Sequence, residues 1–267
     1  GDTVALYTLT GGLLLDAKPA VFEFSASVPI VPDMTQASGA LSGLTLNGEV
    51  IQTGGEYSPI AGGSLSALFE VRDELSVEAQ ETLDVVASDL ISRFENSTVD
   101  PALLPGNAGF FTDSNNPLNV SDTVGLSARI AVNSLVDPDN GGEIWRVRDG
   151  LGAAIPGPVG DASLLNAALQ AIETTQIPSG GTFGSAARDL SDLSATFISM
   201  ITRTEQSLAN RLSFEQTRLS GLTDAELSNG VDTDQELQKL LLIEQAYAAN
   251  ARVIQTADQL IQTLIGL

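Results

Sequence analysis

The chain has 267 residues, enough for one large domain or two to three smaller ones with buried cores. Thirty-four acidic residues against twelve basic ones give a formal charge of -22, a surface that repels phosphate backbones and anionic head groups, so nucleic acid and membranes are not expected as partners. The sequence contains neither Cys nor His, which removes disulfides, thiolate nucleophiles, Cys-based zinc sites and the commonest general base and metal ligand.

The first sixty residues are rich in Val, Thr, Leu, Phe and Gly and carry short alternating runs, "TVALYTLT", "AVFEFSASV" and "LSGLTLNGEVI", broken by Gly-Gly and Pro. This pattern predicts strands and hairpins over 1–61. No initiator Met precedes Gly1 and the strand pattern begins at once, so the sequence reads as a piece of a longer chain. No secretory signal is recognisable, and no apolar run reaches the roughly 18 to 20 residues of a membrane span.

At Gly62 the period changes. Leu65, Leu68, Phe69 and Leu75, then Leu83, Val86, Leu90 and Phe94, fall on helical faces, predicting a helical hairpin over 62–97 with a break near Ser76. From 98 to 160 clusters of Gly, Pro, Asn and Asp separate short apolar runs, "GLSARIAV" and "EIWRVRDG" among them, and predict a second region of loops and strands. Residues 161–230 are expected to form long helices: one over "ASLLNAALQAIE" capped by Asp161, and one from about Phe183 to Leu219, interrupted by Gly221 to Gly230. A last helix is predicted over 231–267, with Asp232 as its cap and Asp234 and Glu236 complementing the dipole of its first turn. Of the formal charge, residues 182–267 hold -5 and residues 1–181 the other -17.

Sites of chemistry are hard to find. "DPDNGGE", Asp137 to Glu143, has the oxygen density of a calcium loop, but Gly141 and Arg148 stand at the fifth and twelfth positions, where an EF-hand needs Asp or Asn and Glu, and a turn is the simpler reading. Asp232 and Asp234 read as helix-capping residues rather than an acid/base pair. Lys18 and Lys239 lie in no Ser-x-x-Lys pattern, and no Gly-rich phosphate loop is present. Asn96-Ser97-Thr98 and Asn119-Val120-Ser121 match the glycosylation triplet at a frequency that chance supplies. No catalytic residue, metal or cofactor is expected.

The informative feature is the final helix. Leu240, Ile243, Tyr247, Asn250, Ile254, Ala257, Ile261 and Leu264 are spaced alternately three and four apart, the seam pattern of a coiled coil over nearly four heptads. Asn250 either fixes register within that seam or faces a wet groove. If the 183–219 helix folds back along the stripe, its first half is covered within the chain. The last turns, with Leu260, Ile261, Leu264, Ile265 and Leu267, are apolar on more than one side and call for cover from an upstream helix or a neighbouring subunit.

"GVDTDQELQKLLLIEQAYAANARVIQTADQLIQTLIGL" resembles the C-terminal segment of the bacterial flagellar axial proteins, those of rod, hook and hook-filament junction. The resemblance rests on Glu236, Gln245-Ala246-Tyr247, Ala249-Asn250-Ala251, Ala257-Asp258 and Leu264. "GGSLSALFEVRDEL" at Gly62 to Leu75, "GLSARIAVNSLVDP" and "WRVRDG" are similar to stretches of the hook-filament junction branch, and the 94–119 region is shorter than that branch suggests. The resemblance implies an exported structural subunit that polymerises through paired terminal helices. Its implied partners are further copies of itself, the hook protein, a second junction protein and an export chaperone covering Leu240 to Leu264. It also implies an extracellular place in the flagellum reached through the type III export apparatus. The expected fold is α+β, an elongated bundle of long helices with attached β-rich portions. A rod-, hook- or filament-type subunit or an adhesin-like surface protein with the same helical ends, and a hydrolase domain carried on a flagellar scaffold, are the rival readings; the last predicts a pocket with clustered carboxylates.

Overall fold

A computed structural model describes residues 4–55, 57–180, 183–229 and 233–265, with side chains throughout except at 229, 233–236, 253–254 and 256–265. The chain divides into two compact units, Gly1–Thr202 and Arg203–Leu267. The α+β class expected from the sequence holds.

The first unit opens with two small antiparallel sheets. β1 (Leu6–Tyr7), β2 (Leu13–Asp16) and β3 (Lys18–Pro19) form one in that order; β4 (Phe22–Phe24), β5 (Leu44–Leu46) and β6 (Glu49–Ile51) form the other. The turn between β5 and β6 is the two residues Asn47 and Gly48, with φ of 54° and 83°. Both angles are positive, the type I′ geometry that matches strand twist and that Asn-Gly adopts readily.

α1 (Ser64–Glu70) and α2 (Ser76–Phe94) are joined by a π-helical turn, Val71–Leu75. The break expected near Ser76 is absent, because Ser76 keeps helical angles of -70° and -36° and the segment holds neither Gly nor Pro. The wide turn shifts the phase of the apolar face, and that shift is what the sequence displays as an interruption. Arg72 sits in this turn with its guanidinium 4.8 Å from the Phe69 ring centre and 5.7 Å from that of Phe24. It donates to Asp73 and to the Ser42 carbonyl, so cation-π contacts tie the second sheet to the helix.

α2 buries an unexpected face. Leu83, placed in the core by periodicity, is exposed, whereas Ala87 and Ile91 pack with Leu126, Phe111, Leu118 and Ile130. Thr82, Asp84, Ser88, Asp89 and Arg93 are buried beside them. Between 98 and 160 lie β7 (Phe111–Asp113), β8 (Ile130–Val132), α3 (Leu126–Arg129) and α4 (Arg146–Asp149). Of the runs read there, "GLSARIAV" divides into α3 and β8, and "WRVRDG" forms the helical turn α4 rather than a strand. A second apolar cluster gathers Leu103, Val136 and Leu151 with Phe110 and Val147.

α5 (Ser163–Glu173) has Ala162, not the expected Asp161, at its N-cap; Asp161 stands one residue earlier and accepts the Ser163 N–H at 2.9 Å in a turn that leads into the helix. α6 (Leu190–Asn229) differs from expectation at both ends. It begins at Leu190 because Asp189 caps it through the Asp192 N–H at 2.7 Å, while Phe183 is buried in the preceding turn. It runs through Gly221, since one Gly costs only about 1 kcal/mol in a helix of otherwise compatible residues. α7 spans Thr233–Ile265. The capping role given to Asp232 and Asp234 falls outside the described side chains.

Candidate functional site

Two kinds of site have to be weighed: a reactive cleft in the first unit, and the apolar stripe of α7 in the second. Among the described residues of the first unit three carboxylates are almost wholly buried, Asp84, Asp89 and Asp100. Asp84 accepts the Gly125 and Ser127 N–H groups at 2.7 Å each and an amide hydrogen of Gln80 at 2.8 Å, so it caps α3 from outside. Asp100 accepts from Ala102 and Leu151 at 2.9 and 2.8 Å and fixes the start and end of the 100–151 region.

Asp89 pairs with Arg93, one turn further along α2, and accepts from Gln176 at 2.7 Å. The Arg93 guanidinium also donates to the carbonyls of Ala171, Thr174 and Arg188. The first two close the C-terminal end of α5, where a cation complements the helix dipole. These ionic groups are therefore engaged in holding backbone, which is the condition under which a charge can be buried. At Glu95 burial pushes the carboxyl up from the ordinary value, against the opposing hydrogen bond from Leu118 N–H.

The cavities agree with a structural role for these groups. One hollow of about 250 Å³ has apolar walls, including Phe94, Phe110, Phe111, Leu164 and Ile172, and the one carboxylate beside it is the doubly bonded Asp100. A second, of about 480 Å³, is lined by Leu103, Asn107, Asn115, Asn133 and Ser134 and by no carboxylate. Among the described residues no three acidic side chains gather in a way that could hold a metal ion. Asp137, at the head of the acidic loop, spends its oxygens on Asp139 N–H and the Asn140 amide, and the two glycosylation-like triplets are turns in which Asn96 and Asn119 bond Thr98 and Ser121.

The α7 stripe is the opposite case. At 100° per residue its eight positions fall on one side of the helix with a slow drift. Leu240, Ile243 and Tyr247 are 64%, 62% and 76% exposed, and Asn250 is exposed as well. Leu237, Leu241 and Leu242 widen the uncovered apolar band. The fold-back of the long helix over this first half is thus not found: these side chains face solvent. Ile254, Ala257, Ile261 and Leu264 lie on helical backbone, and their side chains are outside the described residues.

A second stripe went unread in the sequence. Within the same unit, Leu208, Leu212, Leu219 and Leu222 of α6 line one face and are all exposed. Their spacing of four, seven and three residues carries the signal, hidden by Phe214 and by the Gly expected to end the helix. No described helix is long and apolar enough to cross a membrane.

Residues 226–267, the segment containing the whole α7 stripe, match the family model described as flagellar basal body rod FlgEFG protein C-terminal. The match supports a structural subunit of the flagellar axis. The chain matches no curated protein and no solved structure.

Proposed function

We propose that this chain is the hook-associated protein 1 type of axial subunit, which joins hook to filament by self-assembly through its terminal helices. The observation that carries the reading is an uncovered apolar stripe, Leu240, Ile243 and Tyr247, on a helix inside the segment with the axial-protein match. Solvated aliphatic side chains in this number favour association, and helices of matching stripe are the natural cover. Similarity of Gly62 to Leu75 and of "WRVRDG" to the junction branch supports the finer assignment. In this reading the subunit leaves the cell through the type III export apparatus, a chaperone covers the stripe beforehand, and the hook protein and a second junction protein flank it afterwards. No cofactor takes part.

The second reading, a rod, hook or filament-type subunit, is favoured by the matched model's own description, which names rod proteins. Purified chain added to isolated hooks, with and without filaments, separates the two: a junction subunit binds the free hook end and lets filament protein follow. Replacing Leu240, Ile243 and Tyr247 together by Asp should abolish that binding; undiminished binding would remove the stripe from the mechanism.

A further inference from the structure

The sequence contains three Asn-Gly dipeptides, Asn47-Gly48, Asn140-Gly141 and Asn229-Gly230, the last of which includes residues outside the described side chains. Such pairs can deamidate without an enzyme, because the glycine imposes no side chain on its attacking amide nitrogen. The two described pairs are both exposed but differ in the groups that react.

At the β5-β6 turn the Gly48 N–H has no hydrogen-bond partner among the described residues, and a Cβ added to Gly48 would meet no atom within 4 Å. The electrophile is set up as well. Asn47 Oδ1 accepts the Val21 N–H at 2.9 Å, which draws charge away from Cγ and steadies the oxyanion formed on attack. At the other pair the Gly141 N–H is engaged with the Pro138 carbonyl at 3.1 Å. The Asn140 amide nitrogen donates to Asp137 Oδ2 at 2.7 Å, and the neighbouring Gly142 is packed so closely that an added Cβ would lie 2.2 Å from the Ser134 carbonyl oxygen.

We infer that Asn47-Gly48 is a site of spontaneous modification in the folded protein, and that Asn140-Gly141 is protected by its loop. The Gly48 nitrogen loses its proton and bonds to Asn47 Cγ, ammonia leaves, and a five-membered imide forms. Water then opens the imide: cleavage of the Cγ–N bond gives Asp, and cleavage at the backbone carbonyl gives isoaspartate. The second product routes the main chain through Cβ, adding one atom to a turn that has room for two residues only. It also disturbs the Val21 hydrogen bonds that hold β4 beside β5.

The test is incubation of the whole folded chain in ¹⁸O-water at mildly alkaline pH, followed by digestion and mass mapping of each Asn-Gly peptide. Asn47 should take up label at least about tenfold faster than Asn140, the factor that one net hydrogen bond of about 1.4 kcal/mol sets. In the urea-unfolded chain all the Asn-Gly pairs should react alike. Asp137→Ala should raise the Asn140 rate and leave that of Asn47 unchanged. Equal rates in the folded chain, faster reaction at Asn140, no reaction at Asn47, or an unresponsive Asn140 in Asp137→Ala would each overturn the inference.

Discussion

The unit ending at Thr202 and the unit beginning at Arg203 handle the same problem in opposite ways. In the first, strands of two to four residues and helices of uneven length are fastened by buried ionic groups, Asp84 and Asp100 holding backbone N–H groups and Asp89 holding Arg93, which in turn holds backbone carbonyls. In the second, helical backbone is regular and long, yet every described side chain from Glu205 onward is exposed. Helices without packing are marginal in water, since most helical stability in proteins comes from burying an amphipathic face. The difference teaches where stability is drawn from: the first unit has an interior of its own, and the described side chains of the second leave its helices without one.

That contrast can be broken first at Arg93. Arg93→Met leaves Asp89 buried without its partner and frees three carbonyls, and should cost the first unit about 3–5 kcal/mol, read as a fall in the denaturant midpoint. A loss under about 1 kcal/mol would show the knot to be ornamental. Ile91→Ala, at a side chain with no exposed surface, should follow at about 2–5 kcal/mol, depending on how far Leu126 and Phe111 collapse into the space.

Glu95→Gln is a smaller change with a definite sign. The folded-state pKa is raised above its ordinary 4.5 by burial, so the wild-type residue favours folding most below that value and loses this as pH rises through the folded pKa. The variant keeps an acceptor for Leu118 N–H and cannot ionise. Its advantage in melting temperature should be absent in acid and open as pH rises above the carboxylate range; an advantage confined to acid would contradict the cause assigned. Asp161, held low chiefly by the Ser163 N–H, works the other way, its contribution being lost as pH falls through its depressed value.

The smallest effect on the lone chain should come from the stripe. Leu240→Asp with Ile243→Asp and Tyr247→Asp should change the unfolding of the first unit by less than about 0.5 kcal/mol, the usual range for exposed positions. The same triple change should remove concentration-dependent association measured by sedimentation. A large loss of stability without loss of association would invert the comparison.

Legibility in the sequence followed the same division. The α7 helix was readable because one period runs from Leu240 to Leu264 and nothing else competes with it. The place of Asp161 at the start of α5 was readable to within one residue because the N–H it binds is two residues away. The buried face of α2 was not: Leu83 obeys the helical period and is exposed, while Asp84, Asp89 and Arg93 are buried by partners 41 to 95 residues distant, which no local pattern records. Gly221 misled for a related reason, since propensity weighs one residue and continuity is decided by the whole turn around it. The α6 stripe was obscured by that same misplaced boundary.

The three carbonyls grasped by Arg93 lie 78, 81 and 95 residues further along the chain. Closing loops of that span is slow and comes late, after local helices have formed. Until the stretch through Arg188 has been made, the guanidinium has only Asp89 to hold. The knot around Arg93 is therefore completed only by contacts that reach 78 to 95 residues along the chain.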